Sequence, residues 1–225
     1  MWKEFLPELI KHFKVITIDL PGHGKSNIDN DESIVSMASK VKSVLDKQCV
    51  NNYVLIGHSM GGYVGAELCK IDNRVSKFIL LNSHLEEDTS DKKEMRTKVA
   101  DFVLKHYPIF VRESVPGLFY ANNIPSNQEK IDAAIEEALT LDPKAISVCT
   151  LAMRDRKSNL EWVKSNSTPI TFITGDQDSI MPLDMIKTQH EKLPNSVLII
   201  LEGSGHMAHI EASVLTLNHI KRISQ

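Results

Sequence analysis

Short apolar runs and longer amphipathic stretches alternate along most of the chain. The short runs are rich in β-branched residues, so they predict strands at 15–20, 53–56, 77–81, 170–174 and 196–201. Apolar residues at helical spacing predict an opening helix from about Leu6 and further helices over 34–45 and 61–70. Strands this apolar, alternating with helices, indicate an α/β fold with a mostly parallel sheet flanked by helices on both faces. Right-handed connections then place the C-terminal ends of the strands at one edge of the sheet, where ligands usually bind.

The strand pattern disappears between residues 84 and 167. Helical periodicity occurs there around 92–106, 128–141 and 143–154, and prolines interrupt it. The segment is too long and too periodic to be a loop. We therefore predict that 84–167 is an inserted helical cap over the edge of the sheet, and that 1–83 and 168–225 form the core.

The composition is that of a globular protein with one sizeable core. Of the 225 residues 42% are hydrophobic and 24% are charged, and 26 basic against 29 acidic side chains give a net charge of −3. Without a basic block, there is no electrostatic reason to expect nucleic acid as a partner. No apolar run reaches the length of a membrane span and the N-terminus lacks a secretory signal, so the expected location is the cytoplasm. The three widely spaced cysteines fit neither a disulfide framework nor a zinc cluster, and no metal or cofactor is expected.

The main chemical signal is Gly57-His58-Ser59-Met60-Gly61, directly after one predicted strand and directly before a helix. A serine in such a sharp turn needs small residues two positions away on each side, because larger side chains would collide with adjacent backbone. The turn raises the hydroxyl above the sheet, and the next N–H points to where a carbonyl oxygen becomes anionic. Ser59 is therefore the candidate nucleophile, and the Met60 N–H is a candidate oxyanion-hole donor.

Partners for the serine occur later in the chain. A serine hydroxyl becomes nucleophilic when a base removes its proton and a carboxylate orients that base. For a nucleophile in such a turn, the acid is expected first and the histidine second. Asp176 and Asp178 follow the strand predicted at 170–174, and His206 follows the strand predicted at 196–201. Both positions are at the edge of the sheet where Ser59 is expected.

Together these motifs resemble the α/β-hydrolase fold family, in the form that carries a helical cap. The likeness covers nearly the whole chain and rests on residues 19–26, the serine turn, Gly175-x-x-Asp178 and Gly205-His206. The family's acid is commonly the last residue of a Gly-x-x-Asp turn, and its histidine follows a glycine. The resemblance therefore selects Asp178 over Asp176 and His206 over His209.

Other polar residues near these motifs are expected to be structural. His58 and His23 lie beside the candidate loops, where packing or loop hydrogen bonding is more common than chemistry. His209 and Asp19 are expected to have structural roles, and Asp176 to cap its own turn.

The chain departs from the family at its start. Family members normally carry further strands before the opening helix, and one of these lies between the strands that correspond to 15–20 and 53–56. The loop after that strand carries a His-Gly motif and donates the second oxyanion-hole N–H. The expectation is either a fragment of a longer protein or a short form with an incomplete sheet and half an oxyanion hole.

The resemblance implies a serine hydrolase that acts on a small ester or related acyl compound through an acyl-enzyme. Ser59, His206 and Asp178 would be nucleophile, base and orienting acid. Carbon–carbon bond hydrolases and elimination enzymes of the same fold are an alternative, because no motif separates them from esterases. A non-catalytic ligand-binding relative or inactive fragment is another alternative.

Overall fold

The computed structural model describes residues 2–225 and contains a four-stranded parallel sheet. Its strands are β1 (Tyr53–His58), β2 (Val75–Leu81), β3 (Ile170–Gly175) and β4 (Ser196–Leu201), and they lie side by side in chain order. In the register, Ile56 is opposite Ile79 and Ile173 is opposite Ile199. The predicted α/β class with a parallel sheet flanked by helices is confirmed.

Ten α-helices accompany the sheet within residues 2–225. They are α1 (Leu6–Leu9), α2 (Ile34–Lys47), α3 (Met60–Ile71), α4 (Ser90–Ser114), α5 (Ile124–Leu139), α6 (Pro143–Asp155), α7 (Leu160–Ser165), α8 (Leu183–Glu191), α9 (Ala208–Glu211) and α10 (Ser213–Ser224).

The core has two layers, one on each face of the sheet. Successive side chains of a strand point to opposite faces. Phe78 and Leu80 of β2 accordingly pack with apolar residues of α2 and α3. Ile79 and Leu81 pack on the other face with Phe5 and Ile220, from opposite ends of the chain. The alternation buries β2 on both sides, which explains its uniformly apolar sequence.

The chain between β2 and β3 is helical, as predicted, and contains α4 to α7. The kink in α4 lies at His106 (φ −137°, ψ 36°), two residues before Pro108. Proline has no N–H for the helical ladder, and its ring clashes with the preceding turn. Around the kink, Val103, Tyr107 and Val111 are buried in a small hydrophobic cluster of their own with residues of α5 and α6.

The strand predicted at 15–20 is absent, and that prediction is wrong. These residues carry no strand assignment, and no backbone hydrogen bond is made by residues 14–19 within the described part of the chain. A cavity of about 980 Å³ separates Val15, Ile16 and Ile18 from Val54 and Ile56 of β1. A segment with strand propensity becomes a strand only when a neighbour pairs with its backbone, and here these residues and β1 line the cavity without pairing.

Candidate active site

Ser59 lies at the tight turn between β1 and α3. Its backbone has φ 50° and ψ −119°, a conformation that residues with a side chain rarely adopt. The turn is anchored to β2 and the residues after it, because the Ser59 N–H donates to the Leu81 carbonyl (3.1 Å) and the Ser83 hydroxyl donates to the Ser59 carbonyl (2.8 Å). The sharp turn that the sequence predicted at Ser59 is therefore present.

The need for small residues around Ser59 is only partly as predicted. A Cβ on Gly57 would overlap the backbone of Gly61, as expected. A Cβ on Gly61 would meet no heavy atom within 4 Å beyond its chain neighbours and the backbone of its own helix, so the steric reason given for that glycine is wrong. The second crowded position is Gly62, where a Cβ would overlap the Ser83 side chain, because this face of α3 packs against the end of β2.

The structure brings Ser59, His206 and Asp178 together. His206 Nε2 lies 3.0 Å from the Ser59 hydroxyl oxygen, and His206 Nδ1 lies 2.9 Å from Asp178 Oδ2. The side chain of His206 is 4% exposed and that of Asp178 is 0% exposed. The three side chains form a continuous hydrogen-bonded chain that begins at the serine and ends at a buried carboxylate.

The Asp178 carboxylate is saturated with donors. Oδ1 accepts the N–H groups of Ile180 and Met181 (both 2.9 Å), and Oδ2 accepts Asn82 Nδ2 (2.9 Å) as well as His206. Burial alone would raise the pKa of Asp178, but the hydrogen bond from His206 and the other donors hold it below its usual value. Asp178 is therefore ionised at neutral pH.

Asn82 is a site residue that sequence reasoning missed. It is fully buried, has φ 44°, and directly follows β2 at the edge where the strands end. Its amide also donates to the Gly205 carbonyl (3.1 Å), so one side chain joins the Asp178 turn to the His206 loop. The available signal was a polar residue immediately after an apolar strand at that edge.

The Met60 N–H is free to meet an anionic oxygen. Met60 is the first residue of α3, and its N–H donates no hydrogen bond within residues 2–225. The first N–H groups of a helix have no partner inside the helix, and they lie at the positive end of its dipole. The predicted donor is thus next to Ser59 and unoccupied by other protein groups.

The histidines expected to be structural pack behind His206. His58 Nε2 donates to the His206 carbonyl (2.9 Å), and burial, followed by the nearby His206, lowers the pKa of His58 to about 3. The ring of His209 lies 4.7 Å from that of His58, and burial lowers the pKa of His209 well below its ordinary value. Both rings are therefore neutral at pH 7, and His58 fixes the backbone of His206.

Asp176, Asp19 and His23 form hydrogen bonds with the backbone of nearby loops. Asp176 Oδ1 accepts the Gly203 N–H (2.7 Å), which ties its turn to the loop after β4. Asp19 Oδ2 accepts the Lys25 N–H (3.0 Å), and His23 Nδ1 donates to the Pro21 carbonyl (3.2 Å).

No group of three or more His, Cys, Asp or Glu side chains in residues 2–225 is placed to hold a metal ion. No helix within that range is both long and apolar enough to cross a membrane.

Known proteins share this architecture. The sequence model of the alpha/beta hydrolase fold family matches residues 1–213. An uncharacterized hydrolase of Bacillus subtilis, YugF, is 27% identical, and the match covers 97% of this chain and 83% of that protein. A putative esterase/lipase of Haemophilus influenzae is 24% identical over 94% of this chain and 74% of its own. The solved structure of a thermophilic esterase from Thermogutta terrifontis superposes with a TM-score of 0.92 at 25% identity, covering 98% of this chain and 83% of that one.

Proposed function

Since the chain belongs to the α/β hydrolase fold family and is a hydrolase, we propose that it cleaves a small ester or a related acyl compound through an acyl-enzyme on Ser59. The observation that carries the proposal is the unbroken chain of contacts from the Ser59 hydroxyl through His206 to Asp178, with distances of 3.0 and 2.9 Å. Both are within the range over which a proton is transferred or an imidazole is oriented.

Each group has one role in the proposed reaction. His206 Nε2 accepts the Ser59 proton as Oγ attacks the substrate carbonyl, and the imidazolium then returns that proton to the leaving group. Asp178 accepts the hydrogen bond from Nδ1–H, which fixes the tautomer and stabilises the imidazolium. The Met60 N–H donates to the oxyanion. A water activated by His206 then hydrolyses the acyl-enzyme and frees Ser59.

An ester substrate is favoured by the relatives and by the nucleophile. Two relatives are named as a putative esterase/lipase and a thermophilic esterase. A serine at the turn suits acyl transfer, because its alkoxide forms an ester intermediate that water can cleave.

We also propose that residues 84–167 act as the cap that shapes the acyl pocket. Support comes from the Leu118 carbonyl, which accepts the His206 N–H at 2.8 Å and so places this segment directly against the base. Phe119, the next residue, is buried, which makes it a candidate wall for an acyl chain.

A fluorophosphonate probe tests the proposed nucleophile. We expect the 225-residue chain to gain one covalent adduct on Ser59, located by peptide mass spectrometry, and to hydrolyse p-nitrophenyl esters with a preference for short acyl chains. The matched control is Ser59→Ala, which should neither label nor turn over while keeping its circular dichroism spectrum. A folded wild-type sample that neither labels nor hydrolyses any ester of the panel would contradict the proposal.

A further inference from the structure

The loop that carries His206 is hydrogen-bonded directly to residues 118–123 of the helical segment. The His206 N–H donates to the Leu118 carbonyl (2.8 Å), and Asn123 Nδ2 donates to the Gly203 carbonyl (2.7 Å). His58 holds the other side of the same residue through the His206 carbonyl. The backbone of His206 is therefore fixed at both its N–H and its C=O.

Glu211 lies at the centre of this junction. Its Oε1 accepts the Tyr120 N–H (2.8 Å) and Asn123 Nδ2 (3.0 Å), and its Oε2 accepts the Gly205 N–H (2.9 Å). Tyr120 and Asn123 belong to the helical segment, whereas Gly205 directly precedes His206. One carboxylate at the end of α9 thus bridges the two pieces of chain.

The two pieces are also in backbone contact. A Cβ on Gly205 would lie 2.5 Å from the Tyr120 nitrogen and 2.9 Å from the Phe119 carbonyl carbon. A close fit of this kind means that a shift of 118–123 displaces the histidine loop as well. The Glu211 carboxylate fixes the spacing, because its two oxygens bind donors on opposite sides of the contact.

We infer that Glu211 is a positioning residue, whose carboxylate locks residues 118–123 onto the histidine loop and thereby sets the distance between His206 Nε2 and the Ser59 hydroxyl. The inference rests on the proposed function, since it assigns His206 as the base. Glu211 itself touches neither Ser59 nor Asp178 through any hydrogen bond in residues 2–225. It acts through the backbone on either side of the contact.

The charge and shape of a carboxylate are both required for this role. Three N–H donors converge on two oxygens, and charge-assisted hydrogen bonds of this type are the strong ones. A glutamine has one acceptor oxygen and one NH2 group, so its NH2 would face at least one of the donors. Glu211→Gln therefore breaks the bridge on one side with almost no change in volume.

The first experiment compares Glu211→Gln with Glu202→Gln. Glu202 is exposed on the same loop, and its side chain makes no hydrogen bond within the described residues, so it is the matched control. We expect Glu211→Gln to lower kcat for a p-nitrophenyl ester and the fluorophosphonate labelling rate together, by about 10- to 100-fold, because a displacement of about 1 Å in a reacting group has an effect of this size. The control should match the wild type, and the melting temperature of each variant shows whether it is folded at the assay temperature.

A second variant covers the case in which Glu211→Gln does not fold. Asn123→Ala removes the bonds that Asn123 Nδ2 makes to Glu211 Oε1 and to the Gly203 carbonyl, and it leaves the Tyr120 and Gly205 N–H bonds to Glu211 in place. It should lower kcat in the same direction by a smaller factor, and its effect should not add to that of Glu211→Gln, since both act through one junction. Wild-type kcat and labelling rate in either folded variant would overturn the inference.

A readout that does not depend on turnover separates this inference from the proposed function. The Nδ1 proton of His206, shared with Asp178, should give a low-field NMR resonance in the wild type and in Glu202→Gln, and it should broaden or vanish in Glu211→Gln or, if that variant is unfolded, in Asn123→Ala. If the wild type hydrolyses no ester but the resonance responds in this way, the positioning role stands and the proposed substrate is wrong. An unchanged resonance in the folded variant overturns the positioning role even if the ester activity is present.

Discussion

Replacing Asp178 by asparagine is the most direct perturbation of the candidate site. The carboxylate accepts two backbone N–H groups on Oδ1, and Asn82 and His206 on Oδ2. An asparagine has one acceptor oxygen, so its NH2 group must face two donors in either orientation. If the oxygen stays with the backbone pair, the NH2 faces His206 Nδ1. The imidazole proton then moves to Nε2, and the ring has no lone pair left for the Ser59 hydroxyl.

The magnitude follows from the loss of the correct tautomer. The same change in serine proteases lowers kcat by about 10⁴, which corresponds to roughly 5.5 kcal/mol at about 1.36 kcal/mol for each factor of ten. Asp176→Asn is the matched control, because Asp176 lies in the same turn but, among residues 2–225, accepts only the Gly203 N–H and the Gln177 side chain. Asp176→Asn should lower kcat by about tenfold or less, which is the effect of losing one hydrogen bond in a loop.

The assay is the initial rate with saturating p-nitrophenyl acetate, normalised to the fraction of folded protein from thermal unfolding. Fluorophosphonate labelling of the same samples gives a second measure of Ser59 reactivity. A larger loss in Asp176→Asn than in Asp178→Asn would refute the assignment of the acid. Equal, small losses in both variants would show that no carboxylate orients His206.

Three further outcomes are expected. Asn82→Ala and Asn82→Gly should both lower kcat about tenfold by removing the donor to Asp178. The glycine variant should have a higher melting temperature than the alanine variant, because φ at this position is 44°. A wild-type kcat in both variants would contradict this role. The free energy of unfolding should fall as the pH drops from 6.5 to about 3, because burial lowers the pKa of His58 to about 3 and in this range the unfolded chain binds a proton that the folded chain does not. Urea unfolding at pH 7 and pH 5 should show a smaller loss of unfolding free energy in His58→Gln than in the wild type, by at most about 1.4 kcal/mol per pH unit. An identical loss in the two proteins would contradict the reasoning. Gly62→Ala should lower the free energy of unfolding by about 1–3 kcal/mol through overlap with Ser83, whereas Gly61→Ala should leave it unchanged or raise it. If thermal unfolding gives the reverse order, the prediction that Gly61 must lack a side chain is restored.

The sequence by itself determined the elements that carry their own local signal. β1 to β4 are short, apolar and β-branched, and the observed strands overlap the predicted ones at each place. The turn around Ser59 was also readable, because Gly57 must lack a side chain where the strand enters the helix so tightly. Such features depend on neighbours within a few positions, so the order of residues is enough to identify them.

Other features depended on contacts with segments that are distant in the sequence. The 15–20 segment has the composition of a strand, but it is unpaired because a cavity lies between it and β1. Asp176 and Asp178 stand two positions apart in one turn, and spacing alone cannot say which of them faces His206; the structure turns Asp178 towards the imidazole and Asp176 towards Gly203.

Asn82 and Glu211 show the same limit at the candidate site itself. Asn82 is 96 positions from Asp178 along the chain, and Tyr120 is 91 positions from Glu211, yet each pair is in direct hydrogen-bond contact. No local propensity or motif encodes contacts of this kind. They exist because parallel strands bring distant turns to one edge of the sheet, and because a buried amide or a half-buried carboxylate must find partners there or lose the hydrogen bonds it had with water.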